Sequence, residues 1–224
     1  MSLLTLTPNL KMSEIAGRVG GRNVRDLSNS ALHKIDGLVH KFKERIKPRV
    51  YFQKFEIKFV DKATVYLPQD TELKSVKLAK TLKYSKELVV FVATIGDDLE
   101  TEVSRLMKRK RYSLGYILDA IGSVGMESAV EKFYKLQVEK YAKTNQQITL
   151  RFSPGYCDWP LKEQRKIFPL LKPSKITIEL LDSCLMQPRK SVSGVFGIAP
   201  ANFYPSYAYN PCSDCSKTTC EARR

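Results

Sequence analysis

The chain has 224 residues, 43% of them hydrophobic, which is enough to close one sizeable core and excludes a peptide-scale or disulfide-dependent fold. Lys and Arg number 38 against 23 Asp and Glu, so the formal charge is +15, a field that attracts nucleic acid, an acidic protein or a phosphorylated small molecule. The longest apolar run, Leu88 to Ile95 broken only by Thr94, falls far short of the roughly 20 residues a membrane-spanning helix needs. Met1 to Pro8 offers neither a basic leader nor a cleavable apolar stretch, so no membrane partner is expected and the reading is a cytoplasmic protein.

In chain order, residues 1 to 12 read as a loose arm. Ser28 to Ile46 carries Leu32, Ile35, Leu38, Val39 and Phe42 at helical spacing until Pro48, which predicts an amphipathic helix. Val50 to Val60 alternates as a half-buried strand does, with Phe55, Ile57 and Phe59 against Lys54, Glu56 and Lys58, and Ala63 to Leu67 continues it. Asp70 and Thr71 are placed to cap a helix running to about Lys80. Leu88 to Ile95 does not alternate, and its β-branched content predicts a central strand covered on both faces. Gly96, Asp97 and Asp98 then open a helix with Leu99, Val103, Leu106 and Met107 on one face and Lys108 to Arg111 near its carboxyl end.

Tyr112 to about Lys143 holds the longest helical pattern. Gly115, Gly122 and Gly125 inside it each cost about 1 kcal/mol relative to Ala, so either a backbone or ligand comes close there or the helix packs tightly on the sheet. Gln147 to Phe152 alternates, with Ile148, Leu150 and Phe152 on one side and Gln147, Thr149 and Arg151 on the other, turning Arg151 away from the core. A helix near Leu161 to Leu171 follows, then strands around Lys175 to Leu181 and Ser193 to Ile198. The expected architecture is α+β: a mixed, largely antiparallel twisted sheet with long helices packed on it. An N-terminal arm (1–27), a main domain (28–200) and a cysteine-containing tail (201–224) divide the chain.

Chemistry concentrates in three places. Arg151 to Pro160 takes a strand bearing a guanidinium into a Pro154-Gly155 turn and an aromatic run with Tyr156 and the only Trp, a combination suited to cradle a small molecule. The planar guanidinium donates two parallel hydrogen bonds to a carboxylate or phosphate, or it makes an ordinary surface ion pair. Asp119, Ser123 and Glu127 share one helix face at i, i+4 and i+8, either to hold an ammonium or sulfonium or as a solvated acidic face. The tail gives C-x2-C-x4-C through Cys212, Cys215 and Cys220, with Cys157 or Cys184 as a fourth ligand for zinc or an iron-sulfur cluster; the alternative is a reduced tail. No dinucleotide fingerprint, phosphate-binding P-loop or nucleophile elbow occurs, and His33 and His40 are not in zincin order. Lys108 to Arg111 is the one tight basic cluster, without an aromatic recognition signature, so nucleic acid is not the expected partner.

Arg151-Phe152-Ser153-Pro154-Gly155-Tyr156 resembles the R-x-x-x-G-Y segment of the activation domain of cobalamin-dependent methionine synthase. Leu118 to Ser123 with Glu127 is similar to that family's long helix, and Met186 to Gly194 to its Pro-x-x-Ser-x-Ser-Gly stretch, which brings in Ser191 and Ser193. The resemblance implies an S-adenosylmethionine-binding reactivation module for reductive methylation of cob(II)alamin, the cobalamin sitting on a partner. Arg151 would pair with the methionine carboxylate, and Glu127, with Asp119 on the same face, would lie near the cationic end. Pro154, Gly155 and Tyr156 would wall the nucleoside. The implied partners are a corrinoid-binding protein or methionine synthase core and an acidic electron carrier such as flavodoxin or ferredoxin. Substrate and cobalamin domains are not among these residues, so a free-standing version is expected, one that binds but does not turn over alone. The pattern departs from the family at Asn145, where a further Glu is usual, and in the lack of an aspartate-bearing N-terminal segment. The alternative reading is an iron-sulfur electron-transfer protein that reduces a corrinoid partner.

Overall fold

The apolar run at the middle of the sequence becomes the centre of the fold. A computed structural model describes residues 1–20, 24–171, 177–203, 209–210, 212–213 and 218–219. Its strands are β1 (Ser2–Thr5), β2 (Arg49–Glu56), β3 (Phe59–Val60), β4 (Thr64–Tyr66), β5 (Glu72–Lys74), β6 (Glu87–Thr94), β7 (Gln146–Ile148), β8 (Glu179–Leu180), β9 (Met186–Gln187) and β10 (Ser191–Pro200). The helices are α1 (Met12–Arg18), α2 (Asn29–Phe42), α3 (Val76–Leu82), α4 (Asp98–Lys108), α5 (Tyr112–Ala142) and α6 (Gln164–Leu170). The main sheet runs β1-β2-β6-β10-β7 with every neighbouring pair antiparallel, and β3-β4-β5 and β8-β9 form two smaller antiparallel sheets. The α+β architecture read from the sequence holds. Among the described residues no helix is long and apolar enough to cross a membrane.

Strand β6 is buried from Leu88 to Thr94 because a core lies on each side of it. On one face Val89, Phe91, Ala93, Phe196 and Ile198 pack with Ile35 and Phe42 of α2, Leu99 and Val103 of α4, and Phe133 of α5. On the other, Leu88, Val90, Val92 and Val195 meet Leu78 and Leu82 of α3, Ile167 and Phe168 of α6, Phe152 and Trp159. The glycines of α5 serve this packing. A Cβ on Gly115 would lie 3.0 Å from Met107 Cε, on Gly122 3.0 Å from Leu99 Cδ2, and on Gly125 3.2 Å from Ile46 Cγ2, so α4 and the segment after α2 press directly on the helix.

Several expectations are corrected. Residues 1 to 12 are not a loose arm throughout: β1 is hydrogen-bonded along β2 and α1 begins at Met12. The helix expected to start at Asp70 and Thr71 starts at Ser75, whose side chain accepts from Leu78 N–H. Glu72 to Lys74 are drawn into β5 instead, after a turn that holds Gln69 and Asp70 at positive φ. Phe59 does not follow Ile57 inward; it lies in β3, which pairs with β4 outside the main sheet, and its exposed ring stacks on Tyr66 at 4.0 Å. Of the strand expected around Lys175 to Leu181, Glu179 and Leu180 form β8, while 172–176 lie outside the described residues.

The alternation read over Gln147 to Phe152 also fails, with a consequence for chemistry. Ile148 pairs with Ile198, but Phe152 bridges Val195, so one extra residue has entered the first strand between those points. This is a β-bulge, and a one-residue slip sends later side chains to the opposite face. Ile148 therefore joins the α5-side core and Phe152 the other one. Buried Thr149 stabilises the irregularity: its backbone N–H donates to Gly197 O at 2.9 Å and its hydroxyl accepts Gly197 N–H at 2.9 Å. Arg151, next to Phe152, is thereby turned toward α5.

Candidate functional site

The polar face of α5 forms the floor of a groove. One hollow of about 500 Å³ is lined by Asp119, Ser123 and Glu127 of α5 together with Glu14 and Arg18 of α1. It adjoins another of about 530 Å³ bordered by Glu14, Glu127, Glu131, Tyr134, Val138 and Arg151. A third, of about 550 Å³, shares Tyr116 and Asp119 with the first and adds Met107, Lys108 and Arg189. The three follow one helix face, and each falls in the size range of small-molecule sites.

Arg151 and Glu127 meet at the middle of this groove. Arg151 Nη2 donates to Glu127 Oε2 at 3.1 Å, the arginine side chain 11% exposed and the glutamate 43%. The guanidinium is thus held from below while the carboxylate faces water. A turn away, Lys190 ties the segment before β10 to α5: its Nζ lies 2.8 Å from Ser123 Oγ and 2.9 Å from Asp119 Oδ2, and its backbone N–H donates to Glu100 Oε1 at 2.8 Å. Asp119 and Ser123 are therefore partners of an ammonium, not a merely solvated acidic face. Farther along, a hydrogen bond from Lys135 holds the Glu131 carboxyl below the usual carboxylate range, reinforced by the charges of Lys135, Lys11 and Arg151.

The other residues singled out in the sequence lie elsewhere. Gly155, at φ +93°, donates its N–H to Trp159 O at 2.7 Å, and Tyr156 N–H donates to Ser153 O at 3.1 Å, so the Pro154 turn closes on itself. The Tyr156 side chain packs against the second core, beside stacked Phe152 and Trp159. Alternation along β10 places Val192 with the α5-side core and Val195 with the other, which puts Ser191 and Ser193 on the face away from α5. Ser191 Oγ donates to Pro188 O at 2.7 Å, and Ser193 is buried. The structure thus brings together Arg151, Glu127 and Asp119, with Gly155, Tyr156, Ser191 and Ser193 across the sheet edge.

Cys157 is exposed and Cys212 partly so, while Cys215 and Cys220 lie outside the described residues. Among the described residues, no group of three or more His, Cys, Asp or Glu could hold a metal ion. Sequence reading missed Glu14, Tyr116 and Lys190. Glu14 fell in the stretch read as an arm, and Lys190 stood unremarked beside Ser191 although its alternation partner Val192 faces α5.

A guanidinium flanked by carboxylates in a groove of this size suits a ligand with both an anionic and a cationic end. Residues 128–210 match the family model described as vitamin B12 dependent methionine synthase, activation domain. The resemblance read from the sequence is confirmed over these residues. The activation-domain match takes in Arg151 to Tyr156 and Ser191 to Gly194 and begins one residue after Glu127. In fold, the chain is similar to the crystal structure of the MetH reactivation domain bound to AdoHcy, with a TM-score of 0.59 and 16% sequence identity over 80% of this chain and 67% of that one. A sequence comparison with curated proteins finds no match.

Proposed function

We propose that the chain is an S-adenosylmethionine-binding reactivation module that supports reductive methylation of cob(II)alamin carried by a methionine synthase core or related corrinoid protein. The reading is supported by the activation-domain match and by a relative of the same fold whose structure holds AdoHcy. The observation that carries it is the Arg151–Glu127 pair, an opposite-charge couple facing a groove of ligand size. Arg151 takes the ligand carboxylate, Glu127 the ammonium or sulfonium end, and Pro154, Gly155 and Tyr156, immediately downstream of Arg151, meet the nucleoside at the sheet rim. Lys190 positions Asp119 and Ser123. The cobalt and the electron come from partners, the latter an acidic carrier such as flavodoxin, so the chain alone binds without turnover.

Titration calorimetry of the full chain with S-adenosylmethionine tests this. Hydrogen bonds to charged groups contribute about 1.5–3 kcal/mol, so Arg151→Ala weakens binding about 10- to 100-fold. Unchanged affinity in that variant overturns the site, and no binding by the wild-type chain overturns the function.

A further inference from the structure

The groove along α5 uses none of the five cysteines, and their surroundings separate two kinds. Cys184 is buried, and its sulfur accepts a hydrogen bond from Arg165 Nε at 3.3 Å, so it serves the β8–β9 turn. Cys157 is exposed, although cysteine is ordinarily among the most buried residue types. Its backbone is left-handed, at φ +51°, where Gly or Asn sits at less cost. Neither packing nor backbone preference accounts for a cysteine there. The fold also carries the start of the tail toward it. Asp158, the next residue, accepts from Ser75 Oγ at 2.7 Å and from Lys77 N–H at 3.2 Å at the start of α3. Three residues along that helix, about 4.5 Å, Lys80 Nζ lies 5.7 Å from the centre of the Tyr209 ring. Cys212 follows Tyr209 by three residues, in a turn where its N–H donates to Asn210 Oδ1 at 2.9 Å and Ser213 N–H donates to Asn210 O at 3.0 Å. Three residues of chain reach at most about 11 Å, so Cys157 and Cys212 are tethered to neighbouring turns of one helix.

We propose that Cys157 closes a zinc site with Cys212, Cys215 and Cys220, a clasp that fastens the tail to α3 beside the Tyr156 turn. The C-x2-C pair offers two thiolates to one ion, Cys220 follows after four intervening residues, and a closed tetrahedral zinc site takes four ligands. Cys157 is the fourth because Cys184 is enclosed and already engaged by Arg165. On binding, each thiol gives up its proton to solvent as its sulfur bonds zinc, and no electron moves. The resulting tetrathiolate is negatively charged, and Lys77 and Lys80 on α3 are placed to offset it. An exposed set of thiolates suits zinc, which has no redox chemistry, whereas an iron-sulfur cluster at the same surface stands open to oxygen. The inference goes beyond the proposed function and does not rest on the S-adenosylmethionine assignment.

The test uses the full chain, purified under reducing conditions without oxygen and then loaded with zinc or cobalt(II). The expected result is a single zinc per chain, and a cobalt(II) form with the intense ligand-field and thiolate charge-transfer bands of tetrahedral sulfur coordination. Cys157→Ser weakens zinc binding by more than the roughly 10- to 100-fold that changes outside the ligand shell cost, and it shifts the cobalt bands as oxygen replaces one sulfur. Cys184→Ala keeps the wild-type zinc affinity and cobalt spectrum. Circular dichroism of both variants matches wild type. Trypsin cleavage after Lys217, between the second and third tail cysteines, is followed by mass spectrometry. It is slow in the zinc form and fast after chelation or in Cys157→Ser. A chain that takes up no zinc, unchanged zinc affinity and cobalt bands in Cys157→Ser, metal lost in Cys184→Ala instead, or iron with inorganic sulfide in the purified protein overturns the inference.

Discussion

Glu127 neutralises Arg151 across 3.1 Å, yet the two side chains stand in different surroundings, one 43% and the other 11% exposed. Removing either end is therefore not equivalent. Glu127→Ala strands a mostly buried guanidinium and destabilises the fold by about 1–3 kcal/mol. Arg151→Met leaves only a water-facing carboxylate and costs under about 1 kcal/mol. Urea unfolding of the two variants checks the order, and equal losses would show that the difference in burial between the two ends carries no energetic weight.

Thr149 links the sheet to the site. Thr149→Val leaves the buried Gly197 N–H without its acceptor, at a cost of about 1–3 kcal/mol, and loosens the bulge that aims Arg151. Affinity for S-adenosylmethionine falls together with stability, and Thr149→Ser restores both. A variant that lost stability but kept full affinity would separate the bulge from the aim of Arg151.

Two glycines behave in opposite ways. On Gly197 an added Cβ would overlap Ser85 and approach Leu82 Cδ2 to 2.6 Å, so Gly197→Ala destabilises by about 1–3 kcal/mol. On Gly122 it would meet the movable end of Leu99 at 3.0 Å, and the gain in helix propensity of about 1 kcal/mol offsets that contact. Thermal melts of the two variants should therefore move by clearly different amounts.

Asp158 reaches across from the Tyr156 turn to α3, where its carboxylate accepts from Ser75 Oγ at 2.7 Å and from Lys77 N–H at 3.2 Å. It works as a second cap on a helix already capped by Ser75. Asp158→Ala lowers stability by about 1 kcal/mol, measured by urea unfolding, and Asp158→Asn recovers part of it.

The acid limb of stability has an identifiable contributor at the β3–β4 turn. The Asp61 carboxylate accepts from Ala63 N–H, which holds it below its ordinary value, with Thr64 N–H and the Tyr66 hydroxyl adding to the effect. A carboxyl depressed on folding stabilises above its unfolded value, and that contribution disappears as pH falls through the folded one. Asp61→Asn should flatten the stability profile below about pH 4, and an NMR titration should find the Asp61 midpoint below 3.8.

How far the sequence reaches depends on the range of the interaction that shapes each element. The β6 run and the α5 period are local signals, and both elements appear where the pattern put them. The start of α3 was misplaced because Glu72 to Lys74 satisfy their backbone against β4, a pairing that no local preference at Asp70 and Thr71 reveals. The bulge before Arg151 depends on Gly197, 48 residues away along the chain. For the site, the family resemblance named Arg151 and Glu127 from motif spacing. Glu14 and Lys190 join only because α1 and the approach to β10 are folded onto α5.

The extra residue ahead of Arg151 separates two demands on one stretch of chain. Held in unbroken register from the Ile148–Ile198 pair, the same residues would make the edge of the sheet more regular and set Arg151 opposite Val195. That register would also swing the guanidinium to the side facing α3 and α6. Perfect strand pairing and a charged groove along α5 are alternatives here, and the fold has kept the irregular ladder.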